Sequence, residues 1–349
     1  MSKQTVAITG GTGHIGFMVL VGALSAGYRV RAIVRKQDQI AKIQAPKAIQ
    51  PYLSSLEPIV IPDLSAPAAF DALGEDIWGI IHIASPTFSG RATVNVGEFI
   101  STARRITQNV LDFAANTPSV KRVVVTSSIS SVLPSLDSKP DPKTFFTSQS
   151  PISTELLESP PEEALDTFAY TLSKISVAQM VRDYVESSAP SFSLVSIMPG
   201  TTVGPNELAA SPSDLLAGSN TVVLAPLLGY GFPPIPSIIS HVDDVVYAHV
   251  KALTLEVPSG SMTSVLPVFN SKEDETPFEW DDAIRIAKER FPNAVKKGIF
   301  PCGGSVPVAR FPADSTKDET LLDRKFKSYE QAVGDVISQY LELHSLVAS

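Results

Sequence analysis

The stretch FAYTLSK (168–174) sets Tyr170 and Lys174 four residues apart. On a helix that spacing puts a phenol and an ammonium on one face. A free tyrosine titrates at about 10, so delivering its proton near neutrality benefits from a lowered pKa. A shift of about 3 units corresponds to roughly 4 kcal/mol of preference for the phenolate. A nearby ammonium supplies part of that through its charge. The pair therefore reads as an acid with its tuner if the helix is regular there, and as a surface pair otherwise. KRVVVTSS (121–128) adds Thr126, Ser127 and Ser128 at the end of an apolar run. Alone, that cluster reads as a hydrogen-bonded strand end.

A second constellation lies near the start. TGGTGHIG (9–16) places Gly10, Gly13 and Gly16 in a G-x-x-G-x-x-G spacing, after a strand and opening a helix. Glycine serves there for the tight turn, for backbone approach to a pyrophosphate and for close helix–strand packing. The helix N-terminus then faces the anion with unpaired donors. This context favours a dinucleotide site over a simple turn. An NAD site usually has an acid about 20 residues on for the ribose 2′-hydroxyl. Here Val34-Arg35-Lys36 stands there instead, with no acid before Asp38. Two cations suit a 2′-phosphate, which points to NADPH/NADP+. Asp63-Leu64, ending the third strand, would sit at the adenine edge, although Asp63 also suits a turn or a cap.

The elements that must position these groups alternate. Strands are expected at 5–9, 28–34, 57–62, 78–84, 121–127 and 192–198, with helices at 14–26, 100–116 and 170–188. Strands apolar on both faces, alternating with helices, predict an α/β doubly wound parallel sheet, the Rossmann fold. Its ligand site lies outside the carboxyl ends of the strands. Residues 199–240, rich in Pro, Gly and Ser, read as long loops around a substrate. A helix is expected over 241–255, a strand over 265–270, and helices over 280–290 and 329–343. The domain reading is a cofactor-binding domain over 1–200, with 237–256 returning to it. A smaller, mostly C-terminal substrate-binding lobe takes 201–236 and 257–349. KEDE (272–275) and DRKFK (323–327) read as a solvated face.

Bulk properties narrow the class. The chain has 349 residues, of which 44% are hydrophobic and 18% charged, a balance that supplies ample core rather than disorder. A formal charge of −8 argues against nucleic acid as a partner. Cys302 is the single cysteine, so no intrachain disulfide is possible and a reducing, cytoplasmic location is expected. No apolar run approaches a membrane span, and the histidines and acids show no metal-ligand spacing. His241 and His249 read as structural.

Taken in order, the glycine turn, the serine-ended strand and Y-x-x-x-K resemble the short-chain dehydrogenase/reductase superfamily. More closely the chain resembles its extended, NAD-dependent epimerase/dehydratase-like branch. The similar subgroup there holds dihydroflavonol reductase, cinnamoyl-CoA reductase and fungal ketone, aldehyde and methylglyoxal reductases. HIASP (82–86), MPGTTVGP (198–205), HVDDVVYAHV (241–250) and DRKFKSYEQAV (323–333) extend the resemblance along nearly the whole chain.

The resemblance implies roles. Ser128 matches the group that hydrogen-bonds a substrate carbonyl, Tyr170 the general acid, and Lys174 its partner, which also holds the nicotinamide ribose. Gly10, Gly11, Thr12, Gly13, His14 and Ile15 would line the pyrophosphate, with Gly16 closing the motif. Arg35, with Lys36, would take the 2′-phosphate, and Asp63 and Leu64 the adenine. Ala84 and Ser85 would border the ribose, and Pro199 to Thr202 the carboxamide. Thr126 and Ser127 belong to the same cofactor edge, and the hydride is expected from the B face. ARRITQNV (103–110) departs from the subgroup: Ile106 replaces a glycine, and Ala103 an asparagine that joins a proton relay in many members. The implied activity is reduction of a small-molecule ketone or aldehyde by a monomer or homodimer. Aliphatics and prolines over 224–236 suit an apolar or aromatic substrate. A nucleotide-sugar epimerase or dehydratase, and a non-catalytic NADP sensor, are the other readings.

Overall fold

The computed structural model describes residues 3–86, 92–135, 143–271 and 277–348. Seven strands form one parallel sheet: β1 (Thr5–Thr9), β2 (Arg29–Val34), β3 (Leu56–Val60), β4 (Ile77–His82), β5 (Arg122–Thr126), β6 (Ser193–Ile197) and β7 (Met262–Val265). Their spatial order is β7-β6-β5-β4-β1-β2-β3. β1, β5 and β6 are buried at every residue, which accounts for their unbroken apolar character. The order reverses between β1 and β4, the crevice where such sheets bind ligands. This is the expected doubly wound α/β class.

The helices of this part are α1 (His14–Ser25), α2 (Asp38–Gln44), α3 (Val96–Asn116) and α4 (Asp166–Ser188). α3 packs along α4. Val110, Leu111, Val177 and Met180 from these helices share one apolar cluster with Ile80 and Val123 of the sheet. Both helices start earlier than the sequence pattern predicts. Just before them, Thr93–Asn95 pairs antiparallel with Glu163–Leu165. Val96 N–H donates to the Glu162 carbonyl at 3.0 Å and Asp166 N–H to the Ala92 carbonyl at 2.8 Å. Asn95 also caps α3 by accepting from Glu98 N–H at 2.8 Å. Tyr170 and Lys174 consequently lie inside a regular helix.

The chain divides into two compact units, Met1–Ser135, Gln149–Met198 and Val246–Val265 against Leu136–Ser148, Pro199–Val245 and Leu266–Ser349. The second has its own core, in which Trp280, Phe278 and Tyr329 stack beside Val223 and Leu224. Three expectations need correcting. Residues 199–240 are not simply loops: they carry helices Pro212–Leu216 and Thr221–Leu228 and strands Thr201–Val203 and Ile239–His241. Pro212 and the Asp214 carboxylate, which accepts Ser211 N–H at 2.8 Å, act as helix-start signals rather than loop residues. The strand expected over 265–270 is Met262–Val265, where β6 supplies the hydrogen-bonding partner. DRKFK is only partly solvated: Asp323 and Lys325 are exposed, Phe326 is buried, and its cations are paired. Arg324 Nε pairs with buried Asp244 at 2.8 Å, Lys325 with Glu319 at 2.8 Å, and Lys327 with Asp243 and Asp335 at 2.7 and 3.2 Å. KEDE, and the centre of the loop after HIASP, lie outside the described residues. No helix is long and apolar enough to cross a membrane, and no metal-holding cluster occurs among the described residues.

Candidate active site

Two glycines make the first turn possible. Gly10 has φ +80°, and a Cβ there would lie 2.9 Å from Ala84 N. A Cβ at Gly16 would lie 2.0 Å from the Gly10 carbonyl oxygen. Only glycine lets the turn close on itself and on the end of β4. Gly13 caps α1 without a side-chain acceptor, and the first turn, from His14 and Ile15, holds no acid. A helix start of this kind, free of acidic side chains, suits a pyrophosphate. Thr12 contributes its carbonyl to Lys42 Nζ at 3.2 Å. Lys42, on α2, carries no local sequence signal, because only the path of α2 brings it to the turn.

Arg35 and Lys36 are exposed beyond β2. Their backbone N–H groups donate to Gln39 Oε1 at 2.8 and 3.3 Å, which fixes the loop. Asp63 behaves as a turn residue: its Oδ1 accepts from Ser65 N and Oγ at 2.8 and 2.6 Å, and these bonds hold its carboxyl below the ordinary range. Leu64 beside it is buried, and Asn109 Nδ2 donates to the Leu64 and Ala66 carbonyls at 2.9 and 2.8 Å.

The structure brings Ser128, Tyr170 and Lys174 together. Ser128 follows β5 in extended backbone and is buried. Its Oγ accepts from Ser130 N and Ser130 Oγ at 3.2 and 2.9 Å. With both lone pairs engaged, its own proton points outward as a donor. It hydrogen-bonds the Tyr170 hydroxyl. Lys174 Nζ lies 5.5 Å from the Tyr170 ring centre and donates to the Thr126 carbonyl at 2.8 Å. Burial pushes Tyr170 up to about 12, against the pull of Ser128, and pushes Lys174 down to about 8. Desolvation dominates both shifts, and the ammonium is anchored on the Thr126 carbonyl.

The floor of the site likewise has no local sequence signature, being assembled from distant segments. Thr126 Oγ1 shares a 2.7 Å hydrogen bond with His249 Nε2, and Ser127 N–H donates to the Ile197 carbonyl at 2.7 Å. Thr9 Oγ1 accepts from the N–H groups of Ile83 and Ala84, both at 3.0 Å, and meets His82 Nδ1 at 2.9 Å. This ties Ala84 and Ser85 to the glycine turn. Pro199 and Thr202 are buried in the second unit, where Thr202 Oγ1 donates to the Gly200 carbonyl at 3.2 Å. Of the 224–236 run expected to favour an apolar substrate, Leu224 to Leu227 are core of that unit, whereas residues 228–236 are half-buried or exposed.

A dinucleotide-type turn at β1 and a serine–tyrosine–lysine cluster where β5 meets α4 are the marks of an extended short-chain dehydrogenase/reductase with an NAD(P)-binding Rossmann fold. The chain belongs to the NAD dependent epimerase/dehydratase family, whose model matches residues 6–263. It is 32% identical to NAD-dependent epimerase/dehydratase ALT6 of Alternaria alternata, over 95% of this chain and 96% of the relative. Ketoreductase CTB6 of Cercospora beticola is 32% identical over 98% and 96%. Among solved structures, Gre2 of Candida albicans in complex with NADPH superposes with a TM-score of 0.76 at 22% identity, covering 97% of this chain and 99% of that one.

Proposed function

We propose that the protein is an NADPH-dependent carbonyl reductase that converts a ketone or aldehyde to an alcohol. The observation that carries this reading is the Ser128–Tyr170 hydrogen bond, with Lys174 5.5 Å from the same ring. The nicotinamide would supply the hydride. Ser128, held as an outward donor by Ser130, polarises the carbonyl oxygen. Tyr170, kept as a phenol by burial, holds the proton that the developing alkoxide takes. Lys174 brings positive charge to the same face and favours phenolate once the proton leaves. Gly10–Gly16 would hold the pyrophosphate, and Arg35, Lys36 and Lys42 supply cations for a 2′-phosphate. The ketoreductase relative and the NADPH-bound Gre2 neighbour support the choice of chemistry and cofactor.

The test is NADPH oxidation against a panel of aryl and alkyl ketones and aldehydes, beside Tyr170→Phe. The variant should bind NADPH normally and lose about 10²-fold or more in kcat, the usual scale of general acid catalysis. Cofactor binding without reduction of any carbonyl, unchanged by Tyr170→Phe, would favour a cofactor sensor instead.

A further inference from the structure

α3 is 21 residues long, and its last turn carries no basic side chain to meet the partial negative charge of its carbonyl end. Beside that end, within the first unit, the segment leading into β4 leaves a groove of about 440 Å³. That volume falls in the range of small-molecule sites, about 300–1,000 Å³. The groove shares no residue with the serine–tyrosine–lysine cluster, and no Lys or Arg lines it.

Its walls combine two chemistries. Phe70 is buried and Phe113 half-buried, with ring centres 6.4 Å apart, and they give the groove an apolar side. Asp71 and Glu75 line it from the segment before β4, and Asp112 from α3, all three exposed. Among the described residues the Asp71 and Glu75 carboxylates have no hydrogen-bond or ion-pair partner, and Asp112 engages only Oδ1, which accepts from Gln108 Nε2 at 2.8 Å. Carboxylates alone would make an ordinary solvated rim. Thr117 separates the groove from that case. It is 5% exposed and lines the groove, and its hydroxyl has no partner among the described residues. The fully enclosed unpartnered side-chain atoms belong to Arg122 and Asp318, so the Thr117 oxygen opens on the groove. A hydroxyl held so deep without a partner costs free energy that a ligand donor would recover.

The spacing of the acids selects the ligand. No group of His, Cys, Asp or Glu among the described residues is placed to hold a metal ion, so these carboxylates do not converge on one point. Separated negative groups around an aromatic surface suit an extended organic cation. Its ammonium groups answer the carboxylates and its methylenes cover the rings. We propose that this groove binds an aliphatic polyamine, with ammonium groups on Asp71, Glu75 and Asp112, one of them donating also to Thr117 Oγ1, and the carbon chain across Phe113. A single lysine side chain of a protein partner would bring one positive centre to a groove that presents three carboxylates.

The experiment is calorimetric titration of the full chain with spermidine, an aliphatic triamine, beside propylamine and magnesium chloride at matched ionic strength. Spermidine should bind one-to-one and more tightly than either control. Asp71→Asn and Asp112→Asn should each weaken it about 3- to 5-fold, the scale of an exposed ion pair, and the double variant about 10-fold or more. Thr117→Val, which keeps the shape and removes the hydroxyl, should weaken it several-fold. If that variant does not fold, the two exposed aspartates carry the test. Glu158→Gln, an exposed acid outside the groove, should change nothing. Absence of saturable spermidine binding overturns the proposal. So does binding that the double variant leaves unchanged, or that magnesium matches, since either marks diffuse attraction to an acidic protein. A tetralysine peptide that binds through the same aspartates while spermidine does not would assign the groove to a basic protein segment and overturn it equally.

Discussion

Replacing Lys174 by methionine should make the protein more stable at neutral pH while removing its activity. The side chain is buried and its pKa is about 8, against the ordinary 10.5, with burial as the cause. That difference of about 2.5 units corresponds to about 3 kcal/mol of cost for holding the ammonium in the folded chain. The sign follows from proton counting. Below about 8 both states bind the proton and the native state bears the whole cost. Between about 8 and 10.5 the unfolded chain keeps the proton that the native chain has lost, so stability rises with pH. Methionine fills a similar space without charge, but it leaves the Thr126 carbonyl without its donor, which costs about 1–2 kcal/mol. The net expectation is a gain of about 1–2 kcal/mol at neutral pH, read by denaturant unfolding. On the alkaline side wild type should gain on the variant until the advantage is gone. A variant less stable than wild type at neutral pH, or two stability curves that stay parallel from pH 8 to 10.5, would refute the assignment of a buried, poorly compensated charge.

Other consequences can be measured directly. Arg35→Ala with Lys36→Ala should weaken NADPH binding about 10- to 100-fold and leave NADH nearly unchanged, as loss of charge-assisted contacts to one phosphate predicts; Lys42→Ala should act in the same direction, and calorimetric titration of both cofactors separates the cases. Gly16→Ala should cost at least about 3 kcal/mol, because its Cβ would fall 2.0 Å from the Gly10 carbonyl oxygen. Gly13→Ala, whose Cβ meets only that oxygen at 3.6 Å, should fold normally and show its defect in dinucleotide affinity. In the second unit, buried Asp318 is pushed up to about 6 from 3.8 by desolvation, and its Oδ2 has no partner. Wild type should therefore lose about 3 kcal/mol as pH rises from 3.8 to 6, where the folded chain holds a proton that the unfolded chain has released. Asp318→Asn should flatten that slope in thermal unfolding.

What could be read in advance divides along physical lines. The sheet strands are legible because burial on both faces makes them apolar without alternation, as in VVVT of β5 and AIT of β1. The glycines, Tyr170 and Lys174 are legible because local backbone geometry alone sets their spacing. The starts of α3 and α4 are not, since pairing of Thr93–Asn95 with Glu163–Leu165 sets them from far along the chain. Prolines and serines over 199–240 read as loop because the same residue types cap helices, and Pro212 and Ser211 do so. DRKFK reads as solvated because its carboxylate partners, Asp243, Asp244, Glu319 and Asp335, are supplied by the tertiary fold.

Charge state is the least legible property, and Tyr170 shows why it matters. Spacing placed a cation beside a phenol and so implied an easy acid, whereas burial raises that phenol to about 12. At such a value the hydroxyl keeps its proton across the whole neutral range, so the donor is always loaded and never spontaneously ionised. Releasing the proton then depends on favouring the phenolate at the moment of transfer. The Ser128 hydrogen bond already pulls in that direction, and positive charge arriving within about 4–6 Å of the oxygen adds to it. An acid held in this way donates to a strongly basic acceptor, such as the alkoxide left by hydride addition, and not to solvent.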